Sequence, residues 1–220
     1  MSLTKLLNIE IKGDEKNKII LTNIVKMLTN RKNILKQEKM EVNIKKLINQ
    51  MNDNLFFTIK SDYDDTEYAI KFHFQKLTTI KKVIPIEEFI LKNKKTKKIL
   101  VLNNINNKVY NQIMQYKNIE VFFDYELMIN LIDLHLIPKH HLLSEEEKQI
   151  YMKSYAHANV VTKNNFKGMS KMYVTDPVAR YYNMQIGDIV KITRPSITSG
   201  YSIFYRRITP GNVPLFMNIK

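Results

Sequence analysis

Residues 173–208 read Tyr173-Val-Thr-Asp-Pro-Val-Ala-Arg-Tyr-Tyr-Asn-Met-Gln-Ile-Gly-Asp-Ile-Val-Lys-Ile-Thr-Arg-Pro-Ser-Ile-Thr-Ser-Gly-Tyr-Ser-Ile-Phe-Tyr-Arg-Arg-Ile208, and most of these residues carry a structural instruction. Asp176 ahead of Pro177 offers a carboxylate to the first amides of a helix and puts a residue with no N–H where that donor would be orphaned. A short helix is therefore expected from Pro177 through Tyr182, ended by Asn183, which tolerates the left-handed conformation. After a turn at Gly187-Asp188, Ile189, Lys191 and Thr193 alternate with Val190, Ile192 and Arg194 at the period of a strand, with apolar side chains on both faces. Pro195, Ser196, Ser199 and Gly200 punctuate a second turn, and Tyr201 to Ile208, rich in aromatic and β-branched residues, reads as the returning strand.

Upstream of this stretch, Ser144 followed by Glu147 forms a capping box that opens a helix running to about Ala158. Lys163 to Gly168 is expected as a loop. Nearer the N-terminus, Leu21, Ile24, Val25 and Leu28 recur at helical spacing, as do Ile44, Leu47, Ile48 and Met51, giving two amphipathic helices separated by a Lys-rich turn over 31–39. Met1 to Lys18 shows no stable period, so residues 1–20 are expected to be an extension. Leu55 to Lys60 and Glu67 to Gln75 read as strands joined by the acidic run Ser61 to Asp65. Beyond them helix and strand signals alternate: a helix opening at Pro85, a strand at Ile99–Leu102, a helix near Lys108–Tyr116, a strand at Ile119–Phe123 and a helix over 125–132. Such alternation predicts parallel strand pairs with helices packed on the sheet.

Composition sets the outer limits. A hydrophobic fraction of 44% with 25% charged residues is that of a globular protein, and 220 residues suffice for two cores. The chain has no cysteine, so neither a disulfide framework nor a thiolate metal site is expected. No apolar run approaches the ~18 residues of a membrane span, and the first residues lack the apolar core of a signal peptide, so an intracellular protein is expected. The formal net charge is +14. Residues 1–134 hold 23 Lys and Arg against 16 acids, and residues 135–220 hold 12 against 5, so the excess is denser in the C-terminal part. A polyanion or an acidic partner accounts for such an excess. An A+T-rich gene, with its Lys, Asn and Ile bias, accounts for it equally well.

The 173–208 stretch resembles the C-terminal signature of one subunit of cellular DNA-dependent RNA polymerases, the fifth subunit of the eukaryotic enzymes and its archaeal counterpart. The family pattern is matched at Asp176 to Tyr182, Gly187 to Ile192, Arg194 to Ser196, Thr198, Gly200 and Tyr205-Arg206. Asn183 stands where the family usually has Gly, Ile197 where it has Glu, and Ser199 where it has Ala. The segment His135-Leu-Ile-Pro-Lys-His140 is similar to the family motif that joins its two domains, and nearly the whole chain from Ile24 onward follows the family's order of elements. The resemblance implies an α/β N-terminal domain, with a mixed sheet, flanking helices and a nuclease-like jaw, followed by a small α+β C-terminal assembly domain. The expected boundaries are an extension over 1–20, the jaw-like domain over 21–134 and the assembly domain over 135–220.

It also implies a non-catalytic polymerase subunit, docked on the largest subunit through its C-terminal domain and flanking downstream double-stranded DNA with its N-terminal domain. The residues expected at the subunit interface are Asp176, Pro177, Arg180, Tyr181, Arg194, Ser196, Tyr205 and Arg206, since Arg and Tyr are enriched among interface anchors. The loop that lies near DNA in the family carries a Thr-Pro-Ser-Ala-like sequence, and here it reads Asn103-Asn-Ile-Asn-Asn-Lys108. Contacts by those family side chains therefore do not carry over. Asn106, Asn107, Lys108 and the amides opening the next helix remain suited to phosphate, with Lys94, Lys95 and their lysine neighbours at 92, 97 and 98 extending the patch.

The rival reading is a free-standing DNA-binding protein or a divergent metal-dependent nuclease. That chemistry calls for strand carboxylates on a divalent ion and a lysine two residues past the second acid. Lys71 instead follows Glu67 by four positions, Glu146 and Lys148 fall in a helix, and Asp62, Asp64 and Asp65 sit in a hairpin loop. His135, His140 and His141 lack the further ligands of a zinc site and are expected as capping or surface groups. No nucleophile elbow or phosphate-binding glycine loop is present, and neither a cofactor nor a metal is implied. The Lys, Asn and Ile bias suits a large DNA virus carrying its own polymerase, or a protist with an A+T-rich genome. The corresponding location is the host-cell cytoplasm or virion for a viral protein and the nucleus for a cellular one.

Overall fold

In the computed structural model the described residues are 13–51, 55–77, 84–91, 96–116, 118–155 and 168–211. The chain divides into two compact units between Asn130 and Leu131, four residues ahead of the boundary expected from the sequence. The reason is Leu131, which packs against the core of the second unit.

The first unit opens with α1 (Gly13–Asn30), whose buried stripe comprises Asn17, Ile20, Leu21, Ile24, Val25, Met27 and Leu28 along with Asn23. The expected extension over 1–20 is corrected here: residues 13–20 belong to this helix and Ile20 is fully buried. Residues 1–12 lie outside the described part. A 3-10 turn at Gln37–Lys39 leads into α2 (Met40–Asn49), of whose stripe only Leu47 is fully buried.

Four strands follow in the order β1-β2-β3-β4: β1 (Phe56–Lys60), β2 (Glu67–His73), β3 (Lys97–Leu102) and β4 (Ile119–Phe123). The first pair is an antiparallel hairpin, and β2–β3 and β3–β4 are parallel, with α3 (Ile84–Leu91) and α4 (Asn107–Ile113) in the crossovers. This is the mixed sheet that alternating signals imply. The middle strand β3 is buried on both faces from Lys98 to Leu102, as a strand covered on both sides must be. At the edge, the Thr58 amide donates to Gln50 Oε1 at 3.3 Å, so one outward donor of β1 is occupied by a side chain.

The helix expected over 125–132 is instead two 3-10 turns, Asp124–Leu127 and Leu131–Asp133. Polar bonds to the first unit's own elements pin the first turn. The Phe123 amide donates to Glu126 at 2.7 Å, Lys16 pairs with Asp124, and Asn23 Nδ2 donates to the Leu127 carbonyl at 2.7 Å. These bonds hold the chain at both ends of the tight turn, and the helical preference of the segment yields to them.

The second unit contains β5 (Lys139–Leu142), α5 (Glu145–Tyr155), β6 (Lys171–Tyr173), α6 (Pro177–Tyr181), β7 (Ile189–Ser196) and β8 (Gly200–Thr209). Its sheet runs β5-β7-β8-β6, antiparallel except for the parallel β6–β8 pair. The alternation along β7 feeds two cores. Val190 and Ile192 join Met172, Val178, Ala179, Met184 and Ile208, whereas Ile189 joins Leu143, Tyr151 and Met169. The capping box of α5 is present: the Glu147 amide donates to Ser144 Oγ at 3.2 Å and the Ser144 amide to Glu147 Oε2 at 2.7 Å. Lys148 reaches from α5 to Asp188, just ahead of β7, at 3.3 Å. The expected helix end near Ala158 and the loop at 163–167 fall outside the described residues. The turn expected from Pro195 is shorter than the sequence suggests, because β7 continues through Ser196 and only residues 197–199 turn. Pro195 lies past Thr193, the last residue of β7 that pairs with β5, so its missing N–H leaves that ladder intact.

Candidate subunit and nucleic-acid interfaces

The motif around Asp176 is built as its residues dictate. Asp176 adopts an extended backbone (φ −60°, ψ 136°) and its Oδ1 accepts from the Val178 amide at 2.9 Å, while Asn183 is left-handed at φ 50°. Asp176→Ala is expected to cost about 1 kcal/mol through loss of the cap, read from thermal unfolding of the full chain. No shift at all would mean that the cap contributes nothing to α6. Nearby, His140 Nδ1–H donates to the Pro138 carbonyl at 2.7 Å. Burial holds the His140 imidazole below its ordinary pKa, against the opposing pull of that carbonyl and of Asp176.

The eight residues expected at a subunit interface are not equivalent. Pro177, Arg194 and Arg206 are exposed, and Asp176, Arg180, Ser196 and Tyr205 are half-buried. Tyr181 is buried and serves packing, its ring edge-on to Tyr182. Tyr205 lies against Tyr151 with ring centroids 4.4 Å apart. Arg194 stacks its guanidinium over Phe204 at 4.3 Å. Ser196 Oγ accepts from the Ser199 amide at 3.4 Å and holds the turn.

The sequence reading named neither the isoleucines of the same hairpin nor Phe204 as interface candidates. Ile197, Tyr201, Ile203 and Phe204 are all exposed large side chains. The signal present in the sequence was apolar side chains at both parities of β8, which a strand covered on only one face would not carry. Residues 189–209 also contain four cations, Lys191, Arg194, Arg206 and Arg207, and no acid.

In the first unit, Asn106, Asn107 and Lys108 are exposed at the start of α4. Asn106 caps that helix, accepting from the Lys108 amide at 3.4 Å, so this amide is already engaged. The loop itself is anchored: the Leu77 amide donates to the Asn104 carbonyl at 3.0 Å and the Asn106 amide to the Leu77 carbonyl at 3.2 Å. Lys94 and Lys95, with Lys92, lie outside the described residues. Lys97 is exposed, its Nζ 3.3 Å from the Tyr68 hydroxyl. Lys98 does not extend a surface patch. It is buried, donates to the Ile90 carbonyl at 2.7 Å, and its amine is held below the ordinary lysine range by desolvation.

Two of the acids weighed for metal chemistry, Asp62 and Asp64, are already bonded within the loop and its neighbours. Asp62 accepts from the Lys36 amide at 3.0 Å and from Lys39 Nζ at 2.8 Å, and these bonds hold its carboxyl below the usual range. Asp64 is bonded to Thr66, its hydroxyl at 2.7 Å. His141 Nε2 lies 2.9 Å from Glu147, the carboxylate that closes the capping box. Among the described residues no three His, Cys, Asp or Glu side chains are grouped to hold a metal ion, and no helix is long and apolar enough to cross a membrane.

Residues 129–208 match the family model described as RNA polymerase Rpb5, C-terminal domain. The chain is 34% identical over 206 residues to the DNA-directed RNA polymerase subunit 5 of Acanthamoeba polyphaga mimivirus, covering 91% of this chain and 96% of that protein. It is 31% identical over 190 residues to the subunit rpabc1 of DNA-directed RNA polymerases I, II and III of Dictyostelium discoideum, covering 83% of this chain and 92% of that one. The subunit Rpo5 of Archaeoglobus fulgidus is 37% identical over 82 residues, 37% of this chain but 99% of its own length.

Proposed function

Because the chain belongs to the family of fifth subunits of DNA-directed RNA polymerases, we propose that it works as a non-catalytic subunit of such an enzyme. The observation that carries this is the end-to-end similarity to a viral polymerase subunit, 34% identity across 91% of the chain. In this reading the C-terminal unit is the assembly domain. It docks on the largest polymerase subunit, with the exposed Pro177, Arg194 and Arg206 among its contacts and with Asp176, Arg180, Tyr181, Ser196 and Tyr205 shaping the surface from below. The N-terminal unit, with its mixed sheet, is the nuclease-like jaw and flanks downstream duplex. Asn106, Asn107 and Lys108 sit at its phosphate-facing loop, with Lys94 and Lys95 as further cations. The viral relative and the Lys, Asn and Ile bias favour a large DNA virus as the source.

Affinity purification of the tagged full chain from the cells or virions that make it tests the proposal. The expected result is stoichiometric recovery with the large polymerase subunits, through an interface of roughly 1,600 Å². Recovery of the chain alone, or DNA cleavage by it in the presence of magnesium or manganese, would favour the nuclease reading. For the DNA contact, Lys108→Ala in assembled polymerase is expected to reduce the log–log salt slope of downstream-duplex binding by about 0.9, uniformly across sequences. An unchanged slope removes Lys108 from the DNA path.

A further inference from the structure

We infer that the free end of the β7–β8 hairpin is an arm that inserts into an apolar, acid-rimmed cleft on another polymerase subunit, with Ile197 at its tip. The inference rests on the polymerase reading and adds to it the anchoring element and the chemistry of the receiving site.

Three observations converge on it. The first is projection. The β5 ladder stops at Thr193 and the β6 ladder starts at Arg207, while the hairpin continues between them through the pairs Arg194–Ser202, Pro195–Tyr201 and Ser196–Gly200. The second is apolar exposure on both faces. Ile197 is fully exposed at the turn, Tyr201 is 71% and Ile203 51% exposed on one face, and Phe204 is 40% exposed on the other. An apolar patch on one face suits an element that lies on a partner, whereas apolar side chains on both faces and at the tip suit one that enters it. The third is charge: the hairpin over 189–209 has no Asp or Glu, and of its four cations Arg194 on the projecting end and Arg206 nearer the base are exposed.

The same facts decide among partners. A second copy would bring the exposed Arg194 and Arg206 against their own counterparts with no acid between them, which like-charge repulsion disfavours. Nucleic acid would use the cations, but Ile197 and Ile203 have no group to hydrogen-bond phosphate or a base edge, and one face of Phe204 is taken by Arg194 at 4.3 Å. A protein cleft with an apolar floor and Asp or Glu at its rim satisfies all of them.

The test uses the full chain and polymerase lacking this subunit. Ile197→Glu and Ile203→Glu are each expected to weaken binding by at least about tenfold, as for loss of an interface anchor. Their melting temperatures should match the unsubstituted chain, since both side chains are exposed. Should either glutamate variant fail to fold, Ile197→Ser and Ile203→Ser replace them, with the same loss expected. Arg194→Ala should flatten the salt dependence of binding. Wild-type affinity in well-folded variants at both isoleucines overturns the arm while leaving the polymerase reading intact. Failure of the unsubstituted chain to bind overturns both. Loss of duplex affinity with subunit binding retained assigns the hairpin to nucleic acid and overturns the proposal, as does a dimer in sedimentation that Ile197→Glu dissolves.

Discussion

Ile99→Ala is expected to lower the unfolding free energy by about 4 kcal/mol, within the range for buried isoleucine truncation in a core that cannot collapse around the gap. Ile99 is fully buried at the middle of β3, in register with Ile70 on β2 and Glu120 on β4. Paired strands on both sides hold the backbone in place, so neighbouring side chains must close the space alone. Urea denaturation of the full chain reads the loss as a lower midpoint with an unchanged slope. A change below about 1 kcal/mol would mean that the sheet relaxes around this position far more than its pairing implies.

Glu120→Ala is expected to cost about 3 kcal/mol by a different route. Arg31 follows α1, its side chain only 3% exposed, and its two guanidinium nitrogens reach the Glu120 oxygens at 3.0 and 2.7 Å. Glu120, on β4, is 21% exposed, so the pair ties helix to sheet near the edge of the core. Removing the carboxylate takes the Glu120 counter-charge from a desolvated cation, and that penalty exceeds the net worth of the pair. The double replacement Arg31→Met with Glu120→Leu should therefore recover most of the loss. If the double variant is as unstable as the single one, packing at Glu120 rather than charge sets the cost. Thermal and urea unfolding of the three proteins decide between these accounts.

The elements legible in the sequence are those written in local chemistry. Asp176 and Pro177 start α6, Asn183 ends it, and Ser144 with Glu147 starts α5, each through groups within a few residues. β1 to β4 are legible because their apolar side chains recur at the period of a strand or form an unbroken run. β5 and β6 are not. Lys-His-His-Leu and Lys-Met-Tyr are too short and too polar to show a period, and only pairing with β7 and β8 makes them strands. The helix expected over 125–132 fails for a related reason. Its propensity is overridden by tertiary bonds from Lys16 and Asn23, residues more than a hundred positions away. Of the candidate surface, the cations are visible as residue types but not their placement. Lys98 reads like its neighbours in a lysine run, yet it turns inward. Ile197 departs from a family pattern, and its position at the end of a projecting hairpin emerges only with the register of β7 on β8.

That register also bears on the order in which the chain folds. The eight pairs from Ile189–Arg207 to Ser196–Gly200 close around three residues, so the search for them is short, on the order of 1–10 μs for a hairpin. β6 joins β8 at Thr209 from 36 residues upstream, and β5 joins β7 across α5 and α6, both larger loop closures. The hairpin is thus the natural seed of the C-terminal unit, onto which β5, β6 and the two helices condense. Although the ribosome delivers it after the other elements of that unit, it would be the first part of that unit to take shape. Most of the residues this unit needs for its core would already have emerged, leaving only a brief interval in which its apolar side chains stand open to the wrong neighbours.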